Sequence, residues 1–392
     1  MILLAAGWVL PVGAPPLRNG RVAVEQGRVT WVGTAGDAGA PDGPVRTLGA
    51  GVLMPGLVNA HCHLELSYLR GRLPRGAGFV PWVESVVLAR GSAGEEQMAA
   101  AIAAGVAELK ECGTVAVADV SNTLASVAPL RAARMRAVVL HELLAWDPAM
   151  AEPAFIAGRA RMPEPSEQVD VRLAAHAPHS VSPRLMAMLV AEGGPAAMHL
   201  AESPDEVAFL QSGDGAWGAF LERRGLGHVS FRPPQLSPVA YADSIGALHP
   251  HLIAAHCVQA GTDDLRLLAR RGVHVAVCPR SNLNLGVGLP PLPDMLAAGV
   301  KVCAGTDSLA SVDTLNLLDD VAELHRAFPD VPPALLLEIA TRNGAAALGF
   351  DDLGLIAPGM AAALAYAPSP SAVADPEAFV VSGRARLRAV GA

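Results

Sequence analysis

His61 and His63 stand one residue apart in "NAHCHLELS", at the end of an apolar run that opens at the turn signal Pro55-Gly56. In an extended segment residues i and i+2 share a face, so both imidazoles point one way and Cys62 points the other. Such a pair can serve packing, a structural metal or a metal kept for chemistry. Further ligands decide among the three. His199 in "MHLAES" and Asp307 in "AGTDS" also close short apolar runs. With His61 and His63 they make a set of three nitrogens and one oxygen. That set suits one divalent ion, Zn²⁺ or the similar Fe²⁺, with room left for a water. Glu202, three residues past His199, and His256 in "AAHCV" lie at the same kind of boundary. A purely structural metal site needs no spare acid beside it, so Glu202 favours chemistry.

These residues need elements that bring their ends together. From residue 55 onward eight apolar runs alternate with helical patterns such as "EEQMAAAIAAGVAELKECG" and "DLRLLARRG". The runs include "GLVNAHCH", "RAVVLHELL", "VRLAAHAP" and "KVCAGTDS". Near-continuous apolar strands followed by helices predict a parallel sheet covered on both faces. Eight such units predict an α/β fold, a (β/α)8 TIM-type barrel with its active site at the C-terminal strand ends. The candidates obey that rule. His61 and His63 end the first strand, His176 and His179 follow the fourth, His199 and Glu202 the fifth, His256 the sixth and Asp307 the eighth. Residues 1–54 read instead as short strands broken by Gly and Pro, and strand-like text returns near 355. Segments 1–54 and 351–392 are therefore expected to build one small β-sandwich-like domain from both chain ends, beside a barrel over 55–350.

Composition narrows the class. The chain is 52% hydrophobic and 17% charged, which predicts a large core and excludes a disordered protein. A formal net charge of −8 with no basic run speaks against nucleic acid and anionic membranes as partners. The five cysteines are scattered without a CxxC pair, which argues against a disulfide framework and for a reducing cytoplasm. The opening "MILLAAGWVLPVG" has no basic leader and is too short to span a bilayer, so it reads as a strand.

At this point "PGLVNAHCHLELSYLRG", "HLAES", "AAHCV", "CPRSNLNLG" and "GTDSLASVDTLNLLDD" resemble the successive motifs of the amidohydrolase superfamily, closest to its cytosine/adenosine-type deaminases. The resemblance runs in order over about residues 50 to 350. It implies hydrolysis at a carbon centre, with Asp307 and His256 serving the attacking water and Glu202 giving a proton to a ring nitrogen. Bimetallic members bridge two ions with a lysine after the fourth strand. The only lysines here are Lys110 and Lys301, neither in that place, so one metal is implied. Glu84 and His179 resemble positions that grip sugar and purine, and Ser311 is a further candidate. Glu65 continues the alternation of His61 and His63 toward the pocket. "HCHLELS" is similar to the aminodeoxyfutalosine deaminases of menaquinone biosynthesis, which implies a 6-aminopurine nucleoside as the small-molecule partner. A guanine- or triazine-type ring amine or halide is the alternative, and a non-enzymatic metal-binding protein a weaker one. A homodimer is compatible with all of these. The chain departs from the family in "PGMAAAL", where alanines 361 to 363 replace an expected acid.

Overall fold

The computed structural model describes residues 1–164 and 166–391. The N-terminal segment folds as five strands, β1 (Ile2–Val9), β2 (Leu17–Arg18), β3 (Gly20–Glu25), β4 (Arg28–Thr34) and β5 (Val45–Pro55). Between β3 and β4 only Gln26 and Gly27 remain, with φ of 51° and 74°. Two positive φ values in a two-residue loop match the twist of a tight hairpin, and glycine at the second position relieves the strain.

Eight strands follow, each built from one of the eight expected apolar runs. They are β6 (Leu57–Cys62), β7 (Thr114–Ser121), β8 (Arg136–Leu143), β9 (Val169–Ala175), β10 (Ala197–Leu200), β11 (Ile253–His256), β12 (His274–Val277) and β13 (Lys301–Ala304). They pair in parallel as two four-stranded sheets, β6-β7-β8-β9 and β10-β11-β12-β13. The sheets meet along both edges. On one side Ala196 N donates to Leu173 O and His199 N to His176 O, each at 2.8 Å. On the other, Thr306 N and Asp307 N donate to His61 O at 3.1 and 3.0 Å. All eight strands contribute to one buried cluster that holds Val58, Ala116, Val138, Ala174, Ala197, Ile253, Ala276 and Cys303. The alternate residues Val117, Val139 and Val171 pack outward on Ile102, Val106 and Leu109 of the helix Glu95–Glu111. Burial on both faces is why the strands read as unbroken apolar runs.

The C-terminal strands β14 (Leu364–Ala367) and β15 (Arg388–Val390) return to the N-terminal ones. The order β15-β14-β5-β1-β3-β4, with β2 on β1, makes one seven-stranded sheet from both chain ends. The terminal strands thus join in one sheet that draws on both chain ends. Gly51 is required at the seam: a Cβ there would lie 2.0 Å from Ala367 O. The unusual alanines stay in this sheet, where Ala361 bridges Arg28 and Ala362 N donates to Gly27 O at 2.8 Å. Among the described residues no helix is long and apolar enough to cross a membrane.

Candidate active site

The C-terminal strand ends carry the polar side chains to one place. β6 delivers His61 and His63, while Cys62 between them packs into the helix-facing cluster, as alternation requires. Gly305, after β13, sets the distance to the opposite edge. A Cβ on it would sit 2.6 Å from His61 Cβ, so only glycine lets the chain pass and place Asp307 beside the histidines. Nε2 of His61 and of His63 are 3.2 Å apart, and lie 3.8 and 3.6 Å from Asp307 Oδ1. The His199 ring centroid is 5.0 Å from that of His61, and His199 Nδ1 is 3.1 Å from His256 Nε2. Donor atoms of His61, His63 and Asp307 fall within 4.8 Å of one another, as do those of His61, His199 and His256.

The backbone is strained where these groups emerge. Ala201, His256, Cys257 and Asp307 have φ of 49°, 73°, 49° and 60°. Non-glycine residues in the left-handed region cost on the order of 1 kcal/mol or more and gather at functional sites.

The electrostatics fit a cation. Burial, reinforced by the neighbouring imidazoles, drives His61 well below the ordinary histidine range, and burial also lowers His63. Burial would raise Asp307, but His63, His256 and the Ser281 hydroxyl outweigh it and the carboxyl is lowered. A carboxylate therefore faces neutral nitrogens with lone pairs to give. His199 differs. Burial opposes its proton, yet Glu142 and Glu202 lift it to about 9. A divalent ion at this place would compete for that same lone pair.

Glu202 is buried beside the set, its Oε2 3.7 Å from His199 Nδ1 and its Oε1 3.5 Å from His256 Nε2. Burial, with a smaller push from Asp307 and Glu206, raises its carboxyl to about 8. Its position is set by a capping arrangement at the helix Pro204–Ser212. Ser203 Oγ accepts from Glu206 N at 3.2 Å, and the Glu206 carboxylate accepts from Ala201 N and Glu202 N at 3.2 and 2.8 Å. The stretch Ser203-Pro204-Asp205-Glu206 carries that S-x-x-E signature openly.

A cavity of about 730 Å³ opens over these groups. His63, His199, Glu202 and Asp307 form its floor, Phe79, Trp82, Trp146, Trp217 and Phe220 line its walls, and Arg90 and Arg224 also border it. None of the four expected substrate contacts lines it. Glu65 lies past the strand end: the chain turns into a 3-10 helix, Leu64–Leu69, and the alternation stops. Its carboxylate instead accepts from Ser121 Oγ, Asn122 N, Thr123 N and Thr123 Oγ1 at 2.8 to 3.1 Å. Glu84 lies on the helix Phe79–Ala89, whose Phe79, Trp82 and Val83 face the cavity, but its own carboxylate pairs with Arg223 Nε at 2.9 Å. His179 is enclosed, its ring 4.4 Å from Trp217 and its Nδ1 3.7 Å from Glu206. Ser311 Oγ lies beneath the floor, donating to Asp307 Oδ2 at 3.3 Å.

Two residues without a sequence-based role take the cavity side instead. Glu142 is the last residue but one of β8, and its Oε1 is 3.5 Å from His199 Nε2. His176, directly after β9, lines the cavity where His179 was expected. The signal for Glu142 was the strand-end rule itself, applied to "RAVVLHEL".

With this geometry in view, the comparisons with known proteins are consistent. The amidohydrolase family model matches residues 52–384. A 5-methylthioadenosine/S-adenosylhomocysteine deaminase of Syntrophobacter fumaroxidans is 34% identical over 374 residues, 89% of this chain and 80% of its own. An aminodeoxyfutalosine deaminase of Deinococcus radiodurans is 33% identical over 316 residues, 76% of this chain and 73% of its own. The crystal structure of an adenosine deaminase from Xanthomonas campestris with bound zinc superposes with a TM-score of 0.78 at 26% identity, covering 97% of this chain and 88% of that one. The chain belongs to the amidohydrolase family. It is accordingly an enzyme, a hydrolase of carbon–nitrogen bonds of the deaminase kind.

Proposed function

We propose that the chain deaminates a 6-aminopurine nucleoside, with aminodeoxyfutalosine as the substrate and menaquinone biosynthesis in the cytoplasm as its setting. The observation that carries the reading is Glu202, a buried acid raised to about 8, held 3.5 Å from His256 at the floor of a cavity with a ready cation set. In this reading the two parallel sheets close as an eight-stranded barrel over 55–350, and segments 1–54 and 351–392 form the small domain.

His61, His63, His199 and Asp307 would hold one divalent ion, Zn²⁺ or Fe²⁺. When bound, such an ion supplies an acidified water, its pKa lowered from about 15.7 to about 7. The chain's own groups carry the rest. Asp307, kept ionised, takes the proton of the attacking water. His256 donates a hydrogen bond to the attacking oxygen, which becomes the oxygen borne by the substrate carbon. Glu202, protonated near neutrality, gives its proton to the purine ring nitrogen, so that the adjacent carbon accepts the oxygen. Asp307 then passes its proton to the 6-amino nitrogen, the C–N bond breaks to release ammonia, and the hydroxyl proton returns to Glu202 as the ring carbonyl forms.

The walls support a nucleoside with an extended 5′ substituent. A free base would leave much of the aromatic lining wet, and Arg224 borders the cavity as a cation that such a substituent could meet. Glu84 reaches sugar hydroxyls in this reading only by leaving Arg223. A second reading, a 5′-thio-substituted adenosine, is favoured by the name of the Syntrophobacter fumaroxidans relative. Ammonia release from aminodeoxyfutalosine, 5′-methylthioadenosine, adenosine and adenine, measured as kcat/KM on zinc-loaded protein, separates the readings. The largest value on aminodeoxyfutalosine supports the proposal. Equal values on adenine and the nucleosides would overturn it.

A further inference from the structure

We propose that Asn282 sets the tautomer of His256 and so decides whether its inner ring nitrogen presents a proton or a lone pair to the reacting centre. The inference deepens the proposed function, resting on its reading of His256 as a donor. Both side chains are 0% exposed, so water cannot substitute for either partner. Asn282 Nδ2 lies 2.9 Å from His256 Nδ1. An amide nitrogen only donates, so Nδ1 must accept, and the single proton of the neutral imidazole resides on Nε2.

Nε2 is the nitrogen that faces the site. It lies 3.5 Å from Glu202 Oε1 and 3.1 Å from His199 Nδ1. His256 belongs by distance to a cluster with His61 and His199 that could hold a cation. With its proton on Nε2 it has no lone pair to give there. It remains a hydrogen-bond donor beside the ligand set, aimed at the oxygen that gains charge. The opposite tautomer would remove the donor and add a fourth nitrogen ligand. One hydrogen bond thus separates two different sites built from the same side chains.

The helix Pro279–Leu285 that carries Asn282 is firmly anchored. The Arg280 guanidinium donates to Asp320 Oδ2 at 2.6 and 3.0 Å and to Thr314 Oγ1 and Thr314 O at 3.0 Å each. Ser281, between them, donates to Asp307 Oδ2 at 2.5 Å. Three consecutive residues therefore divide the work: Arg280 fixes the turn, Ser281 orients Asp307 and Asn282 orients His256. Asn282 is a positioning residue in this scheme and touches no substrate.

The test is ¹⁵N NMR of metal-free protein labelled at histidine, with His256 assigned by the signals lost in His256→Gln. The wild type is expected to show the Nε2–H tautomer. In Asn282→Asp the carboxylate can only accept, and the ring is expected to switch to Nδ1–H. On zinc-loaded protein kcat should then fall by about 10² to 10⁴-fold, as for other catalytic histidines held in the wrong tautomer, with KM little changed. A wild-type spectrum showing Nδ1–H would overturn the proposal even if Asn282→Asp failed to fold. So would Asn282→Asp retaining both Nε2–H and wild-type kcat. An Asn282 needed only for packing would lower thermal stability in Asn282→Asp and leave the tautomer unmoved, which also overturns it. The spectra do not depend on turnover, so a failure of the nucleoside reading would show separately, as absent ammonia release from wild type.

Discussion

Glu202 combines two properties that pull against each other: it is buried like a core residue and polar like a surface one. Burial raises its carboxyl to about 8, so at neutral pH it holds a proton it can give. The protonated form is the active one, so kcat/KM should decline as pH rises through that pKa. In Glu202→Gln that limb should be absent from the pH profile. The same variant should keep its fold and metal but lose about 10² to 10⁴-fold in kcat, because an amide preserves shape and passes no proton. Unchanged turnover with intact metal content would remove Glu202 from the reaction. His61→Ala should behave differently and lose the metal itself, which elemental analysis reads directly. Glu65 has its own consequence. It accepts four hydrogen bonds in a buried place, and Glu65→Ala leaves those donors bare at about 1–3 kcal/mol for each one that finds no new partner. A clear fall in Tm with little change in KM is expected. A raised KM at unchanged Tm would return Glu65 to the substrate.

Gly305 joins the last strand of the second sheet to the first strand of the other. With 2.6 Å available to a Cβ against His61, Gly305→Ala must push the chain after β13 away from β6. Overpacking of this kind typically costs about 1–3 kcal/mol. The displaced group is Asp307, so metal affinity should fall together with Tm. A variant with wild-type Tm and wild-type metal binding would mean that the strand ends spread without cost. The capping arrangement before the helix Pro204–Ser212 plays a similar part for Glu202, since Glu206 holds the backbone nitrogens of Ala201 and Glu202. Each device uses a short local motif to aim a side chain at a partner far away in sequence.

The molecule as a whole should carry one metal per chain, because no lysine follows β9 to bridge a second. Two equivalents in metal-replete protein would overturn this. Removal of the metal should lower Tm, since an ion held by four ligands from three strand ends stabilises only the folded chain, by about 2.7 kcal/mol at a hundredfold excess over Kd. The sequence by itself determined the eight strands and the histidines at their ends. A parallel strand buried on both faces must be apolar throughout, so polar residues stand out where it stops. It also determined that His61 and His63 share a face, because alternation is a local property. The tertiary structure alone decided what each remaining polar group meets. Glu65 looked like a pocket residue until the chain turned at Leu64, and Glu84 until helix Ala216–Arg223 brought Arg223 to it. Glu142 and His176 gained their places only when β8, β9 and β10 were set side by side, with His199 between them and the centre. Which partner a buried charge finds depends on contacts dozens of residues apart, and no local period encodes such a distance.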